Sequence, residues 1–534
     1  MAAFIDTGKL TGNRLIVISS AVLVLFYNFT FFKHFTDVYP LVAENIAFIL
    51  SVSILLFTVT ALLLSVVGSR YTIKPILIFI FICSSLASYF MDSYNIIVDS
   101  TMIKSIMMTD SGEAADLLEV KLLMYVLILG LSPAILIYRA KLHYGTVKYG
   151  LVSKLKFIVL LVVVIIAQLL MFGKSYAAFF REHKDIRYYT NPVTYIYSIE
   201  KYIKTSLASH NLKIEPVGLD AHLAHFDEHR ELTIIVVGET VRADRLSLNG
   251  YHKNTTPLLE KENVISLTNM HSCGTSTAVS VPCMFSMHNR DDYDDVKGAG
   301  YENLLDVVTH AGIHVLWRDN NSDSKGVALR VLYQDYKSPD INHMCDVECR
   351  DVGMLEGLQE YIDGVQKGDI LIILHQMGSH GPAYYKRYPE SFEKFTPVCK
   401  TSHLEACTEE QINNAYDNTI LYSDYFLSRV IELLKQNVST YKTALLYVSD
   451  HGESLGEKGV YLHGLPNMLA PDAQTHVASL LWFGDNYDEI SVEDVRKRAG
   501  RDFSHDNIFH TVLGLMEVET DVYNRGLDII FSDI

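Results

Sequence analysis

The chain is 534 residues long, 49% hydrophobic, with a formal net charge of −17. It is too long for one ordinary domain, and its two parts differ in character. The acidic balance counts against a nucleic-acid partner, because phosphate backbones require concentrated Lys and Arg.

Up to about Gly173 apolar runs dominate. A bilayer span needs about 20 residues. Five runs are of that order, approximately Arg14 to Phe32, Ala43 to Val67, Lys74 to Phe90, Leu122 to Tyr138 and Phe157 to Phe172. The first is not read as a cleavable signal, since no small-residue cleavage site follows it and further spans do. Arg70 and Lys74 follow the second run, and Arg139, Lys141, Lys148, Lys154 and Lys156 follow the fourth. The connection after the third instead carries Asp92, Asp99, Asp110, Glu113, Asp116 and Glu119. Cationic loops stay in the cytoplasm, so the amino terminus is expected there and everything beyond Lys174 on the outer side.

The third connection, Met91 to Lys121, is too long for a turn and is expected to form short helices at the outer membrane surface. Within it Ser105, Thr109 and Glu113 recur every four residues, which puts three polar groups on one helical face. Such a face is either solvated or turned toward a ligand. From Lys174 to about Leu232 tyrosines and charges crowd together, and rings beside basic residues favour the headgroup layer. The expected organisation is a transmembrane domain over 1–173 with surface helices around 91–121, an interfacial linker over 174–231 and a soluble domain over 232–534.

Strand-like runs then recur at Thr233 to Val237, His314 to Trp317, Ile370 to Leu374 and Ala444 to Val448, separated by helical patterns such as Gln411 to Gln436. That alternation predicts an α/β domain with a mostly parallel sheet covered by helices. Open sheets of this kind place their chemistry just past the carboxyl ends of the strands. There the first run delivers Glu239, and the last delivers Asp450 and His451. Two acids and an imidazole are ligands for a hard or borderline divalent ion such as zinc. Between them Cys273-Gly-Thr-Ser-Thr-Ala-Val-Ser280 offers a hydroxyl nucleophile at an expected helix start. Chemistry alone leaves Thr275, Ser276, Thr277 and Ser280 as alternatives, the others being caps and backbone partners. His375, His380 and His463 can protonate a leaving group, hold a phosphate oxygen or join a second metal. In the polar loop from Trp317 to Lys325, Asn321, Ser322 and Lys325 can bind an anionic headgroup, unless the loop is merely solvated.

Cys83 lies in an apolar run and reads as a packing residue. The other six cysteines fall in the soluble part as close pairs, Cys273 with Cys283, Cys345 with Cys349 and Cys399 with Cys407. Small loops of this kind suit disulfides in an oxidising compartment, which the expected topology independently supplies. Reduced thiols or a zinc knuckle are the alternative, and the spacing lacks the CxxC form of structural zinc sites.

Taken together, Gly238-Glu-Thr-Val-Arg-Ala-Asp244, Ser272-Cys-Gly-Thr-Ser-Thr-Ala-Val-Ser-Val-Pro-Cys283, Trp317-Arg-Asp-Asn-Asn-Ser-Asp-Ser-Lys325, His375-Gln-Met-Gly-Ser-His-Gly-Pro382 and Ser449-Asp-His-Gly-Glu-Ser-Leu-Gly456 resemble the lipid A phosphoethanolamine transferases, the mobile colistin-resistance enzymes included. The resemblance runs over essentially the whole chain. It implies an alkaline-phosphatase-like catalytic domain in the periplasm of a Gram-negative bacterium, carried by five spans of the inner membrane. It implies that Thr277 is the nucleophile and that Glu239, Thr277, Asp450 and His451 hold zinc, one ion tightly, with a second left open. His380 and His463 match the family's substrate-site histidines, Ser322 and Lys325 match headgroup contacts, and the three cysteine pairs match its disulfides. Thr109 and Glu113 match donor-binding positions, whereas Ser105 stands where the family usually has asparagine, a shorter hydroxyl in place of an amide.

The reaction so implied is a two-step transfer of phosphoethanolamine from phosphatidylethanolamine to a phosphate of lipid A through a threonine-bound intermediate, by a monomer embedded in the bilayer. Capping that phosphate with an ethanolammonium lowers the negative surface charge that attracts cationic peptides, hence polymyxin and colistin resistance. The rival readings are a core-sugar or periplasmic-glucan acceptor, and a membrane-bound phosphodiesterase in which water takes the group. A sulfatase would show Cys-x-Pro-x-Arg, which neither Cys273 nor Cys283 heads. A non-catalytic lipid sensor has no need of an activated hydroxyl.

Overall fold

Long runs of Leu, Ile, Val and Phe without a charged face can satisfy their backbone in lipid only as helices. In the computed structural model, which describes residues 10–109, 111–183, 185–210, 212–224, 230–487 and 490–531, such helices build the first of two units, Met1–Ile103 with Leu118–Tyr202. The second unit is Lys104–Leu117 with Ile203–Ile534.

In the first unit Ala43–Val67, Ile73–Tyr94, Val120–Arg139 and Val147–Glu182 are each long and apolar enough to cross a membrane. The remaining span, expected as one helix over Arg14 to Phe32, is a pair, Gly12–Phe26 and Phe29–Val38, bent by 60° at its break. Asn28 sits in that break. Asn191 N donates to Asn28 Oδ1 and Asn28 Nδ2 donates to Asn191 O, both at 2.8 Å, and the two residues are buried. A buried amide away from water must be paired, and the bend opens Asn28 to its partner. The stretch read as a linker is largely helical: Val147–Glu182 runs past Lys174, and Val193–His210 forms a further helix. Leu23, Tyr27, Leu64, Leu77, Phe81 and Ile137 pack inside the first unit. Leu50, Leu160, Leu170 and Met171 stay exposed, the distribution expected of a surface solvated by lipid.

Short helices do form in the third connection, Ser100–Met108 and Ser111–Asp116, and its stretch Lys104–Leu117 groups with the second unit. The main sheet of that unit has β1 (Arg230–Gly238), β2 (Ile265–Ser266), β3 (His314–Asp319), β4 (Leu332–Asp335), β5 (Ile370–His375), β6 (Tyr441–Ser449) and β7 (Ser479–Phe483). They lie in the order β2-β7-β6-β1-β5-β3-β4. The pairings from β6 through β1, β5 and β3 to β4 are parallel, while β7 runs antiparallel to β6 and β2 antiparallel to β7. The runs recognised from the sequence are β1, β3, β5 and β6. β7 escaped because Ser-Leu-Leu-Trp-Phe is a short apolar run that periodicity does not separate from helix. β4 lies at the edge and is barely buried, so it carries no pattern.

Every residue of β1 from Glu231 to Gly238 is buried, which is why the strand reads as a continuous apolar run rather than an alternation. Ile235 and Val237 pack with Met284, Phe285, Trp317, Leu446 and Phe509. The short helix α1 (Thr277–Met284) follows the hydroxyl-rich turn, and the long helix α2 (Glu409–Asn437) lies against β6. α2 starts at Thr408, whose side chain and that of Gln411 form a capping box, and it buries Ile412, Tyr416, Ile420, Val430 and Leu434.

Disulfides join Cys273 to Cys283, Cys345 to Cys349 and Cys399 to Cys407. Closing a loop as short as the eight-residue separation of Cys399 and Cys407 removes chain entropy worth on the order of 2–3 kcal/mol. The double variant Cys399→Ala with Cys407→Ala is expected to melt a few degrees below the parent protein in differential scanning calorimetry; an unchanged transition contradicts a stabilising role.

Candidate functional site

β1 and β6 are parallel neighbours whose last residues, Gly238 and Ser449, pair with one another. The next residues along are therefore Glu239 and Asp450, side by side beyond the sheet, with His451 following. All three are fully buried, and one ligand atom of each lies within 4.8 Å of the others. His451 Nε2 is 3.4 Å from both Glu239 Oε1 and Asp450 Oδ2. The ring is oriented from behind, because its Nδ1 meets Gly452 O at 2.9 Å. A carbonyl only accepts, so Nδ1 holds the proton and Nε2 presents a lone pair to the acids. Burial pushes the His451 pKa down and keeps the imidazole neutral, although the Asp450 charge pulls the other way.

Asp450 Oδ1 accepts from Thr240 N at 3.2 Å and His451 N at 2.7 Å. Its Oδ2 is buried and accepts no hydrogen bond among the described residues. Two carboxylates and an imidazole lone pair aimed at one point, out of water, repel one another unless a cation lies between them. The oxygen-rich donor set with one imidazole fits a divalent ion such as zinc.

Thr277 opens α1. Its Oγ1 donates to Glu239 Oε2 at 3.1 Å and lies 3.4 Å from His451 Nε2. Two of the competing hydroxyls are otherwise engaged, since Thr275 donates to Leu465 O at 2.6 Å and Ser280 Oγ accepts from Gly274 N at 3.0 Å, while Ser276 Oγ is buried without a hydrogen-bond partner among the described residues. Ser276, at the cap position of α1, makes no side-chain cap bond. His505, which nothing in the sequence marked, braces the arrangement from beneath. Its Nδ1 accepts from Cys273 N at 3.1 Å and its Nε2 donates to Ser449 O at 3.0 Å, so it ties the hydroxyl-rich turn before α1 to the end of β6.

The loops after β3 and β5 supply an outer ring. Asn321 Nδ2 donates to Glu239 Oε2 at 2.8 Å and to Gln376 O at 2.7 Å, so this amide holds the acid in place rather than facing outward. Ser322 Oγ donates to Asn321 Oδ1 at 2.9 Å, and Lys325 Nζ donates to Ser322 O and Oγ at 2.6 and 2.7 Å. A chain of bonds thus runs from the buried Lys325 ammonium to Glu239. Gly378 (φ +51°) passes so close to Glu239 that a Cβ there would sit 2.9 Å from Glu239 O, which only glycine permits.

His463 Nδ1 pairs with Glu453 Oε2 at 2.9 Å, and Tyr384 donates to Glu453 Oε1 at 2.8 Å. The His463 ring centroid lies 4.3 Å from that of His451 and 5.7 Å from that of His380. His451, Glu453 and His463 form a second group of ligand atoms within 4.8 Å. Glu453 was legible in principle, two residues beyond His451 in the same motif. Desolvation, then the Arg387 charge, hold His380 well below its ordinary pKa and therefore neutral. His375 does not join the site; its Nδ1 bonds Asp319 Oδ2 at 2.9 Å in the core beside Trp317. In the surface segment Thr109 Oγ1 donates to Ser105 O at 2.8 Å, and Ser105 Oγ has no hydrogen-bond partner among the described residues. Glu113 lies in the helix Ser111–Asp116, with its side chain outside the described residues.

The family model described as phosphoethanolamine transferase EptA/EptB matches residues 56–207, and the one described as sulfatase matches residues 231–518. Phosphatidylethanolamine transferase Mcr-2 of Escherichia coli is 41% identical over 503 residues, covering 92% of this chain and 92% of its own. Phosphoethanolamine transferase EptA of Escherichia coli strain K12 is 39% identical over 517 residues, covering 94% and 93%. The solved structure of the integral membrane lipooligosaccharide phosphoethanolamine transferase A (EptA) of Neisseria meningitidis is 33% identical with a TM-score of 0.92, covering 98% of this chain and 99% of that one.

Two measurements probe the braces. Asn321→Ala frees Glu239 and, if the site holds the zinc its donors fit, is expected to lower that affinity about 10- to 100-fold, read by competition with a chelator; unchanged affinity contradicts the brace. Burial pushes His505 down from 6.5 to about 4. The unfolded chain therefore takes up this proton first, so the stabilising contribution is whole above about 6.5 and is lost as pH falls toward about 4. His505→Gln should flatten the decline of urea-unfolding free energy across that window, and an identical slope would remove His505 as its source.

Proposed function

Since the chain belongs to the phosphoethanolamine transferase family, with an alkaline-phosphatase-like catalytic domain, we propose that it moves phosphoethanolamine from phosphatidylethanolamine to a phosphate of lipid A at the periplasmic face of a Gram-negative inner membrane. The observation that carries this reading is the Thr277 hydroxyl set among Glu239, Asp450 and His451, 3.1 Å from Glu239 Oε2. The name of the Mcr-2 relative supports the donor, and that of the Neisseria meningitidis protein supports a lipid acceptor of the lipid A class.

Glu239, Thr277, Asp450 and His451 would hold zinc, which when bound makes a hydroxyl more acidic and offsets negative charge at phosphorus. Thr277 Oγ1 gives up its proton along its bond to Glu239 and attacks the donor phosphorus. The bond from phosphorus to the glycerol oxygen breaks, diacylglycerol leaves with a proton, and Thr277 retains phosphoethanolamine as a phosphodiester. His463, its Nδ1 fixed on buried Glu453, is the group placed to carry that proton, while neutral His380 offers a ring N–H to a phosphate oxygen. In the second step a protonated lipid A phosphate gives its proton to His463 and attacks the same phosphorus, the bond to Thr277 breaks, and the proton held by Glu239 returns to Oγ1. Asn321, Ser322 and Lys325 order the acid beside the nucleophile, and Ser105, Thr109 and Glu113 receive the donor headgroup. The added ethanolammonium reduces surface negative charge and with it the attraction of polymyxins.

Mass spectrometry of lipid A from cells expressing the protein tests this. The expected result is a gain of a phosphoethanolamine group that disappears in Thr277→Ala together with polymyxin resistance. Modification of core sugar or glucan alone would overturn the acceptor, and an unmodified envelope the reaction.

A further inference from the structure

Helix α1, which begins at the nucleophile Thr277, contains Pro282 in its interior. Proline has no N–H, so the carbonyl four residues earlier, that of Ala278, is denied its helical donor. Ala278 directly follows Thr277 and is buried, a place where an unpaired carbonyl is costly. The donor comes from a different part of the chain. Lys104 Nζ lies 2.8 Å from Ala278 O and 2.6 Å from Asp295 Oδ1, which balances its charge.

The same segment, Lys104–Leu117, is pinned at its far end. Asp116 pairs with Lys386 at 2.5 Å and with Arg387 at 3.0 Å, and Arg387 Nε donates to His380 O at 2.7 Å. Asp116 and Arg387 are both nearly enclosed, with side chains 8% and 2% exposed. One anchor therefore ends on the nucleophile helix and the other on the backbone of a substrate-site histidine. Between the anchors lie Ser105, whose buried Oγ has no hydrogen-bond partner among the described residues, and Thr109.

We propose that Lys104 is a positioning residue for the transfer: it supplies α1 with the hydrogen bond that Pro282 removes, and so sets Thr277 in its working place only when the Lys104–Leu117 segment is docked. The inference rests on the reading of Thr277 as nucleophile and of that segment as the receiver of the donor headgroup. Its consequence is a coupling of two tasks, since the segment read as taking up the lipid also completes the helix that attacks it.

The test is a double-variant cycle on the full chain in detergent, following diacylglycerol release from phosphatidylethanolamine. Lys104→Met keeps the stem and removes the donor; it is expected to lower kcat by about 10- to 100-fold, the range for one lost charge-assisted hydrogen bond, with little change in KM. Lys104→Arg, which keeps a cationic donor, should stay within about threefold of the parent. In a Pro282→Ala background the helix regains its own N–H, so adding Lys104→Met should cost less than about threefold. A merely structural role predicts the same loss in both backgrounds, and that outcome overturns the proposal, as does a fully active Lys104→Met. Should Pro282→Ala itself be inactive, Lys104→Arg against Lys104→Met decides: equal loss overturns it, retention by Arg supports it. A parent protein that releases no diacylglycerol sinks the transferase reading and this inference together, whereas an active parent with an equally active Lys104→Met sinks this inference alone.

Discussion

The in-register parallel pairing of β1 with β6 is the constraint on which the site depends. Glu239, Asp450 and His451 converge from strands more than two hundred residues apart, as the separation of 210 between Thr240 N and its acceptor Asp450 Oδ1 records. Buried like charges would drive such ends apart. What holds them is a ladder running from Arg230 paired with Tyr441 to Gly238 paired with Ser449, buried on both faces. Backbone strain sits at the same point. Thr240, a β-branched residue, takes φ +58° and is held there by Tyr416, whose hydroxyl donates to Thr240 O at 2.6 Å. A conformation that unfavourable for threonine persists where the surroundings over-determine it.

Around this point the protein spends its polar groups on orientation. His451 is turned by Gly452 O, His463 by Glu453, Glu239 by Asn321, and the end of β6 and the hydroxyl-rich turn by His505. The imidazoles of His380, His451 and His505 are kept neutral by burial, which suits ligands and hydrogen-bond donors rather than fixed charges. Group transfer between phosphate esters asks for little covalent chemistry from a protein beyond a nucleophile. It asks instead for fixed geometry and for charge placed where charge develops. A rigid sheet edge with short loops meets that demand.

The lipid substrates proposed for the chain would explain its other half. A donor and an acceptor that both reside in bilayers reach a membrane-anchored enzyme by two-dimensional encounter, and the apolar helices of the first unit, with Leu160, Leu170 and Met171 exposed, are surfaces for lipid. The membership of the chain in the phosphoethanolamine transferase family accounts for both units in one protein.

The sequence by itself determined the parts whose signal is local. Helix Ala43–Val67 and strands β1, β3, β5 and β6 announce themselves because apolar runs of those lengths have few alternatives, and motif residues such as Glu239, Asp450 and His451 lie directly after strands. Tertiary structure decided whatever depended on partners distant in the chain. Asn28 bends the first span because Asn191 meets it, and His375 is a core residue because Asp319 lies across the sheet. Thr277 is distinguished from Thr275 and Ser280 only by which hydroxyl reaches Glu239. Lys104 looks like any cation on a helix until Pro282 leaves a carbonyl for it. Periodicity and residue type report the burial of a segment, but a hydrogen bond between residues far apart in sequence leaves no periodic trace, and only the packed chain brings its two ends together.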